Sequence, residues 1–191
     1  MNSIAYFAYG SNMLRARLLD RGVLLLDEGQ PAQVKDYNLV FNKKSDDGSS
    51  KANLMPAPGA TSWGVLFSVS SKSLAGLDSA EGAPVHYRRE TVTVCTEQGE
   101  RQAMTYLAQP DKVLPVPDRP WDWYLALILA GGKSYPDIPS DWIKKLRQIG
   151  QAKPYIKQPP SKSFTEAVAQ LKAAGHARWQ DLLIEENEHI L

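Results

Sequence analysis

The stretch Tyr6-Phe7-Ala8-Tyr9-Gly10-Ser11-Asn12-Met13 constrains this chain more than any other. An apolar run that begins at Ile4 stops abruptly at Gly-Ser-Asn. A helical pattern follows, with Leu14, Leu18 and Leu19 on one side and Arg15 and Arg17 on the other. That change of period reads as strand, tight turn, helix. Gly10 is expected to turn the chain with a positive φ and to let a ligand approach the backbone closely. Ser11 or Asn12 is the expected N-cap, so that the first helical N–H groups and the positive end of the helix dipole face out of the turn. Such a turn suits a carboxylate or a developing oxyanion. On these residues alone an ordinary capped connection is the better reading.

The length of 191 residues fits one domain with room for a terminal appendage. The 22 basic residues nearly balance the 21 acidic ones, so neither nucleic acid nor an anionic membrane surface is expected as a partner. No apolar run is long enough to span a bilayer, and the N-terminus lacks the pattern of a secretory signal. Cys95, the single cysteine, excludes an internal disulfide and fits a reducing cytoplasm. It is expected in the core rather than as a nucleophile, since no histidine lies near it in sequence. His86, His176 and His189 are scattered and make no metal-ligand spacing with it, so no metal is expected.

Taken in order, Arg21-Gly22 reads as the close of the first helix. Gln33 to Asn42 reads as a strand, Lys43 to Lys51 as a polar loop around Asp46-Asp47-Gly48, and Ala52 to Met55 as a short strand ended by Pro56. Ala57 to Ser62 reads as a turn and Trp63 to Val69 as a nearly continuous apolar strand. A short helix from Ser73 to Ser79, capped by Ser70 or Ser71, leads to Ala80-Glu81-Gly82-Ala83-Pro84. Tyr87 to Cys95 alternates as a strand and returns through Gln98-Gly99 to Gln102–Leu107. The first 107 residues thus give six or seven strands and two short helices. Three helices follow. Trp121 to Ala130 is expected to stop at Gly131-Gly132, and Asp141 to Ile149 at Gly150. The third, with the capping box Ser163-Phe164-Thr165-Glu166, ends near Gly175 and leads to an acidic tail. Pro154, Pro159 and Pro160 mark 151–161 as a linker.

Glu81 stands just past a helix end in a loop bearing glycine and proline, flanked by Leu77, Ala80 and Ala83. Partial desolvation there would raise the carboxyl toward neutrality, where one group can both take and give a proton.

With these residues in place, the chain resembles the γ-glutamylcyclotransferase family, which has the cyclotransferase-like, AIG2-related fold. The resemblance rests on Tyr6–Asn12, on Leu77-Asp78-Ser79-Ala80-Glu81-Gly82, and on Tyr87 opening a strand. It extends to Trp63-Gly64-Val65, Thr105-Tyr106-Leu107 and the helix carrying Tyr124, and covers about residues 4 to 150. The pairing of Tyr-Gly-Ser-Asn with Asp-x-x-Glu-Gly in this order is more specific than either half. It implies an α+β fold: a small mixed, mostly antiparallel β-barrel with flanking helices. Carried over by position, Glu81 becomes the proton carrier. Tyr6, Tyr9, Gly10, Ser11 and Asn12 form the turn that binds the γ-glutamyl group, and Tyr87, Tyr106 and Tyr124 line the pocket. Residues 1–150 form the implied domain. Residues 151–191, a linker and a helical extension packed on it, inherit no role.

The implied reaction is intramolecular. The α-amine of a γ-glutamyl group attacks its own γ-carbonyl, giving 5-oxoproline and a free amino acid or amine. It needs no metal, organic cofactor or covalent enzyme intermediate. The expected partner is a small γ-glutamyl compound, and the expected state a monomer or homodimer. Two other readings stand beside it: a non-catalytic small-molecule binding module on the same fold, and the same chemistry on glutathione or a γ-glutamylated metabolite. Retention of Glu81 argues against the first.

Overall fold

The computed structural model describes residues 2–184. Five strands close into a barrel in the order β1-β3-β2-β4-β5. They are β1 (Ser3–Ala8), β2 (Gln30–Lys44), β3 (Ser50–Ser70), β4 (Tyr87–Thr96) and β5 (Gly99–Ala108). All pairings are antiparallel except the closing one, where β1 runs parallel to β5 at Tyr6 and Met104. The helices are α1 (Arg15–Asp20), α2 (Leu74–Glu81), α3 (Asp122–Lys133), α4 (Ser140–Gly150) and α5 (Lys162–Ala173). No helix among the described residues is long and apolar enough to cross a membrane. The acidic end of the tail, from residue 185 onward, lies outside the described residues.

The strand count differs from the sequence reading because β3 is one strand of 21 residues, continuous through Pro56 and Pro58. The β2–β3 register shows why. Tyr37 pairs with Pro56 and Lys35 with Thr61, so residues 57–60 bulge opposite the single residue Asp36, whose φ is 60°. Asp36 ties the bulge down by accepting the Gly59 N–H at 2.8 Å. A bulge is where a sheet tolerates proline, because the ladder is already interrupted there. The apolar run Val23–Leu26 makes only an isolated bridge from Leu25 to Val69. Cys95, expected in the core, is half-buried. It belongs to the alternating set of β4 that faces away from the buried Val92 and Val94.

The helix ends also correct the sequence reading. Gly131 and Gly132 do not stop α3, which runs on to Lys133. They serve close packing. A Cβ on Gly131 would fall 2.5 Å from the Leu14 nitrogen, and one on Gly132 would fall 2.8 Å from Ile143 Cδ1. Helix α3 is buried on every side from Trp123 to Gly132, as expected for a central helix, and it lies against the turn at Ser11–Met13. The cap of α5 is Ser161, whose hydroxyl accepts the Phe164 N–H, rather than Ser163. Helix α5 packs on α1 and α3, and its Phe164 ring stacks on Tyr155 at 4.6 Å between centroids.

Candidate active site

Strand β1 delivers its chain into a single turn of 3-10 helix, Ser11–Met13, before α1 begins. Met13 N–H donates to the Gly10 carbonyl at 3.0 Å and Leu14 N–H to the Ser11 carbonyl at 3.3 Å. Gly10 has φ −111°, so the expected positive φ is not found. A Cβ there would make ordinary contacts, 3.4 Å to Ala52 Cβ and 3.6 Å to Tyr124 Oη. Neither Ser11 nor Asn12 caps a helix with its side chain. The Asn12 amide has a different use.

Asn12 and Glu81 meet across 69 residues of sequence. Asn12 Nδ2 donates to Glu81 Oε1 at 3.0 Å and to Tyr6 Oη at 2.7 Å. Arg21 completes the group: its Nη1 donates to Asn12 Oδ1 at 2.7 Å and to Glu81 Oε1 at 2.7 Å. The Glu81 and Arg21 side chains are 17% and 18% exposed, so this is a partly buried ion pair with hydrogen bonds on both sides. Glu81 is the last residue of α2, not a loop residue beyond it; Gly82 takes the left-handed conformation, φ 62°, that ends the helix. The surroundings that sequence suggested as aliphatic are polar at the carboxylate itself. Oε1 is committed to Asn12 and Arg21, whereas Oε2 accepts no hydrogen bond among the described residues.

Every residue singled out from the sequence lines one small cavity. Glu81 and the turn residues Gly10, Ser11 and Asn12 form part of its wall. Tyr6, Tyr9, Tyr87, Tyr106 and Tyr124 form most of the rest, with Ala52 and Thr105, which sequence reasoning passed over. Each element pins its tyrosine. Tyr9 Oη donates to the Tyr106 carbonyl at 2.5 Å, Tyr87 Oη to the Ala52 carbonyl at 2.9 Å, and Tyr106 Oη to Asp78 at 2.8 Å. Arg89 in turn holds Asp78. Tyr124 Oη accepts the Ala52 N–H at 3.2 Å. Burial pushes all five phenols above the usual tyrosine range, so they stay neutral donors. Glu81 is the one carboxylate among the lining residues. The described residues hold no cluster of three or more metal-ligating side chains.

The cavity is small, about 30 Å³, and open to solvent. A roomier groove of about 550 Å³ includes Gln33, Trp63, Cys95 and Tyr135, but no site residue lines it. The smaller cavity is the one that brings together a carboxylate, bonded to the Arg21 guanidinium, and five neutral phenols.

Arg21 is the functional candidate that sequence reasoning missed. Read along the chain, Arg21-Gly22 is only a helix terminus. Nothing in the sequence shows that this side chain turns back to Asn12.

A sequence model of the "Gamma-glutamyl cyclotransferase, AIG2-like" family matches residues 6–123. The gamma-glutamylcyclotransferase of Bos taurus is 30% identical over 155 residues, 77% of this chain and 79% of that protein. The Homo sapiens gamma-glutamylcyclotransferase is 29% identical over 154 residues, with the same coverage. A solved structure titled gamma-glutamyl cyclotransferase superposes with a TM-score of 0.69 at 26% identity, covering 86% of this chain and 97% of that one. The chain therefore belongs to the γ-glutamyl cyclotransferase, AIG2-like family.

Proposed function

We propose that this protein is a cofactor-independent γ-glutamyl cyclotransferase that converts a γ-glutamyl amide into 5-oxoproline and a free amino acid or amine. The observation that carries the reading is the carboxylate of Glu81, anchored through Oε1 and uncommitted at Oε2 beside the turn at Gly10–Asn12.

The substrate holds its nucleophile as an α-ammonium. Glu81 takes one proton from it through Oε2, and the freed amine attacks the γ-carbonyl carbon to close a five-membered ring. Charge gathers on the carbonyl oxygen, and N–H groups of the turn face the oxygens of the γ-glutamyl group. The ring nitrogen gives up a second proton as the adduct collapses and the amide C–N bond breaks. The leaving nitrogen has then gained both protons and departs as an ammonium. No net proton is exchanged with solvent, so one carboxylate can carry each proton in turn. Holding the folded conformer supplies much of the rate, because the attack is intramolecular. The neutral tyrosines fix the substrate without competing for protons.

Retention of Glu81 with two dedicated hydrogen-bond donors favours an enzyme over a binding module. A catalytic site for a soluble metabolite fits a cytoplasmic protein. The test is incubation of the purified chain with γ-glutamyl amino acids, γ-glutamylamines and glutathione, with detection of 5-oxoproline. Its formation from one of them is expected. Tight binding of these compounds without 5-oxoproline would replace the enzyme with a binding module.

A further inference from the structure

Lys43 is only 6% exposed, yet no carboxylate stands within ion-pair distance of its ammonium among the described residues. It lies on β2 beside the cavity. Phe41 of β2 pairs with the lining residue Ala52, and Lys43 pairs with Lys51 one step further along the same ladder. Its Nζ sits 5.4 Å from the ring centroid of Tyr87, itself a lining residue. The neighbouring cations are neutralised. Lys51 Nζ donates to Asp47 at 2.7 Å and to Ser49 at 3.0 Å, and Lys112 pairs with Asp111 at 2.9 Å. Lys43 has only an aromatic face.

An ammonium withdrawn from water without a partner costs free energy, and one cation–π contact returns part of it. Burial pushes Lys43 below the usual lysine range. The charges of Asp46, Glu81 and Asp47 oppose that shift, while that of Lys112 adds to it. A site that keeps such a charge unpaired is built for an anion that arrives with a ligand. If the turn at Gly10–Asn12 holds the γ-glutamyl end at this small, solvent-open cavity, the group carried on the amide extends beyond it. Lys43, whose ammonium faces the ring of the lining residue Tyr87, offers that part a positive charge beside the cavity.

We infer that Lys43 is a specificity residue that pairs with a carboxylate on the leaving side of the substrate, so that amides releasing an amino acid are preferred over amides releasing an uncharged amine. This rests on the cyclotransferase reading above.

The experiment compares γ-glutamylalanine, whose leaving group bears a carboxylate, with γ-glutamylethylamine, whose leaving group does not. The wild type, Lys43→Met and Lys43→Arg are assayed for 5-oxoproline. Lys43→Met should raise KM for γ-glutamylalanine about 10-fold or more, as losing one charge-assisted hydrogen bond implies, with kcat within twofold. It should change γ-glutamylethylamine less than about twofold, and Lys43→Arg should retain most of the preference. Equal effects on the two compounds, or none on either, overturn the inference. If Lys43→Met fails to melt cooperatively, Lys43→Gln takes its place. A wild type that forms no 5-oxoproline from either compound, nor from glutathione and the other γ-glutamyl compounds of the first test, refutes the cyclotransferase reading instead. Calorimetry with the same compounds then decides Lys43: a preference for γ-glutamylalanine that Lys43→Met abolishes supports it, and equal affinities overturn it.

Discussion

Replacing Arg21 with alanine isolates the geometry on which the proposed mechanism depends. One nitrogen of Arg21 donates to both Asn12 and Glu81, each at 2.7 Å, so the side chain fixes the angle between the amide and the carboxylate. With about a sixth of each side chain exposed, the pair is too buried to be dismissed as surface decoration. A hydrogen bond to a charged group contributes roughly 1.5–3 kcal/mol, so Glu81 would lose its stronger anchor and keep only Asn12. A proton carrier displaced by about an ångström can cost about 10²-fold in rate. Arg21→Ala should therefore lower kcat about 10- to 100-fold while KM stays within roughly threefold, since Arg21 does not line the cavity. Arg21→Lys should recover part of kcat, because it restores a charge but not the planar fork. Combined with Glu81→Gln, Arg21→Ala should cost almost nothing further, as it acts through the group already removed. Steady-state formation of 5-oxoproline gives both constants, and thermal melts check that each variant is folded. A kcat for Arg21→Ala within twofold of wild type, or full additivity in the double variant, refutes the positioning argument.

Glu81→Gln alone keeps the shape and removes the proton carrier, so 5-oxoproline formation should fall at least about 10²-fold in the same assay, with the melt little changed. Gly131→Ala forces a methyl group against the backbone at Met13–Leu14 and should cost about 1–3 kcal/mol in urea unfolding, with a rise in KM as the turn shifts. Truncation after Gly150 should leave a folded, less stable protein with some activity. All the site residues precede that point, but Arg17 would lose its 2.8 Å bond to Gln170 and Trp123 the cover of Tyr155. Calorimetric melting together with the 5-oxoproline assay measures both effects.

Sequence pattern was most informative where local chemistry and tertiary demand agree. The apolar run from Ile4 and the alternation after Tyr87 appear near their expected places. Three misreadings share one cause, that glycine and proline read along the chain as local punctuation. At Pro56 and Pro58 a bulge absorbs the missing N–H groups, and the strand continues. At Gly131 the absent side chain answers the close approach of Leu14, a contact more than a hundred residues distant in sequence. At Gly10 the backbone keeps a negative φ and makes its turn through the 3-10 geometry of Ser11–Met13. A one-dimensional pattern records that a glycine is present, but not which of these demands it meets.

The candidate site was legible through motif resemblance, and its logic only through the fold. Tyrosines from β1, β4, β5 and α3 reach one cavity because the barrel closes β1 against both β3 and β5. Asn12 reads as a helix cap because asparagine is among the residues preferred just before a helical pattern. Here its amide instead bridges the end of β1 to the end of α2. Arg21 gave no signal, since its role depends on α1 being only six residues long, so that the side chain after its last turn lies close to Asn12. The same short helix carries Arg17, held by Gln170 of α5, and Asp20, which accepts the Gln170 amide at 2.6 Å. One glutamine thus grips α1 at two points. The segment that the family resemblance leaves without a role thereby braces the helix from which Arg21 reaches Glu81. The position of Glu81, the proposed proton carrier in the first half of the chain, then depends on packing contributed by the last fifth.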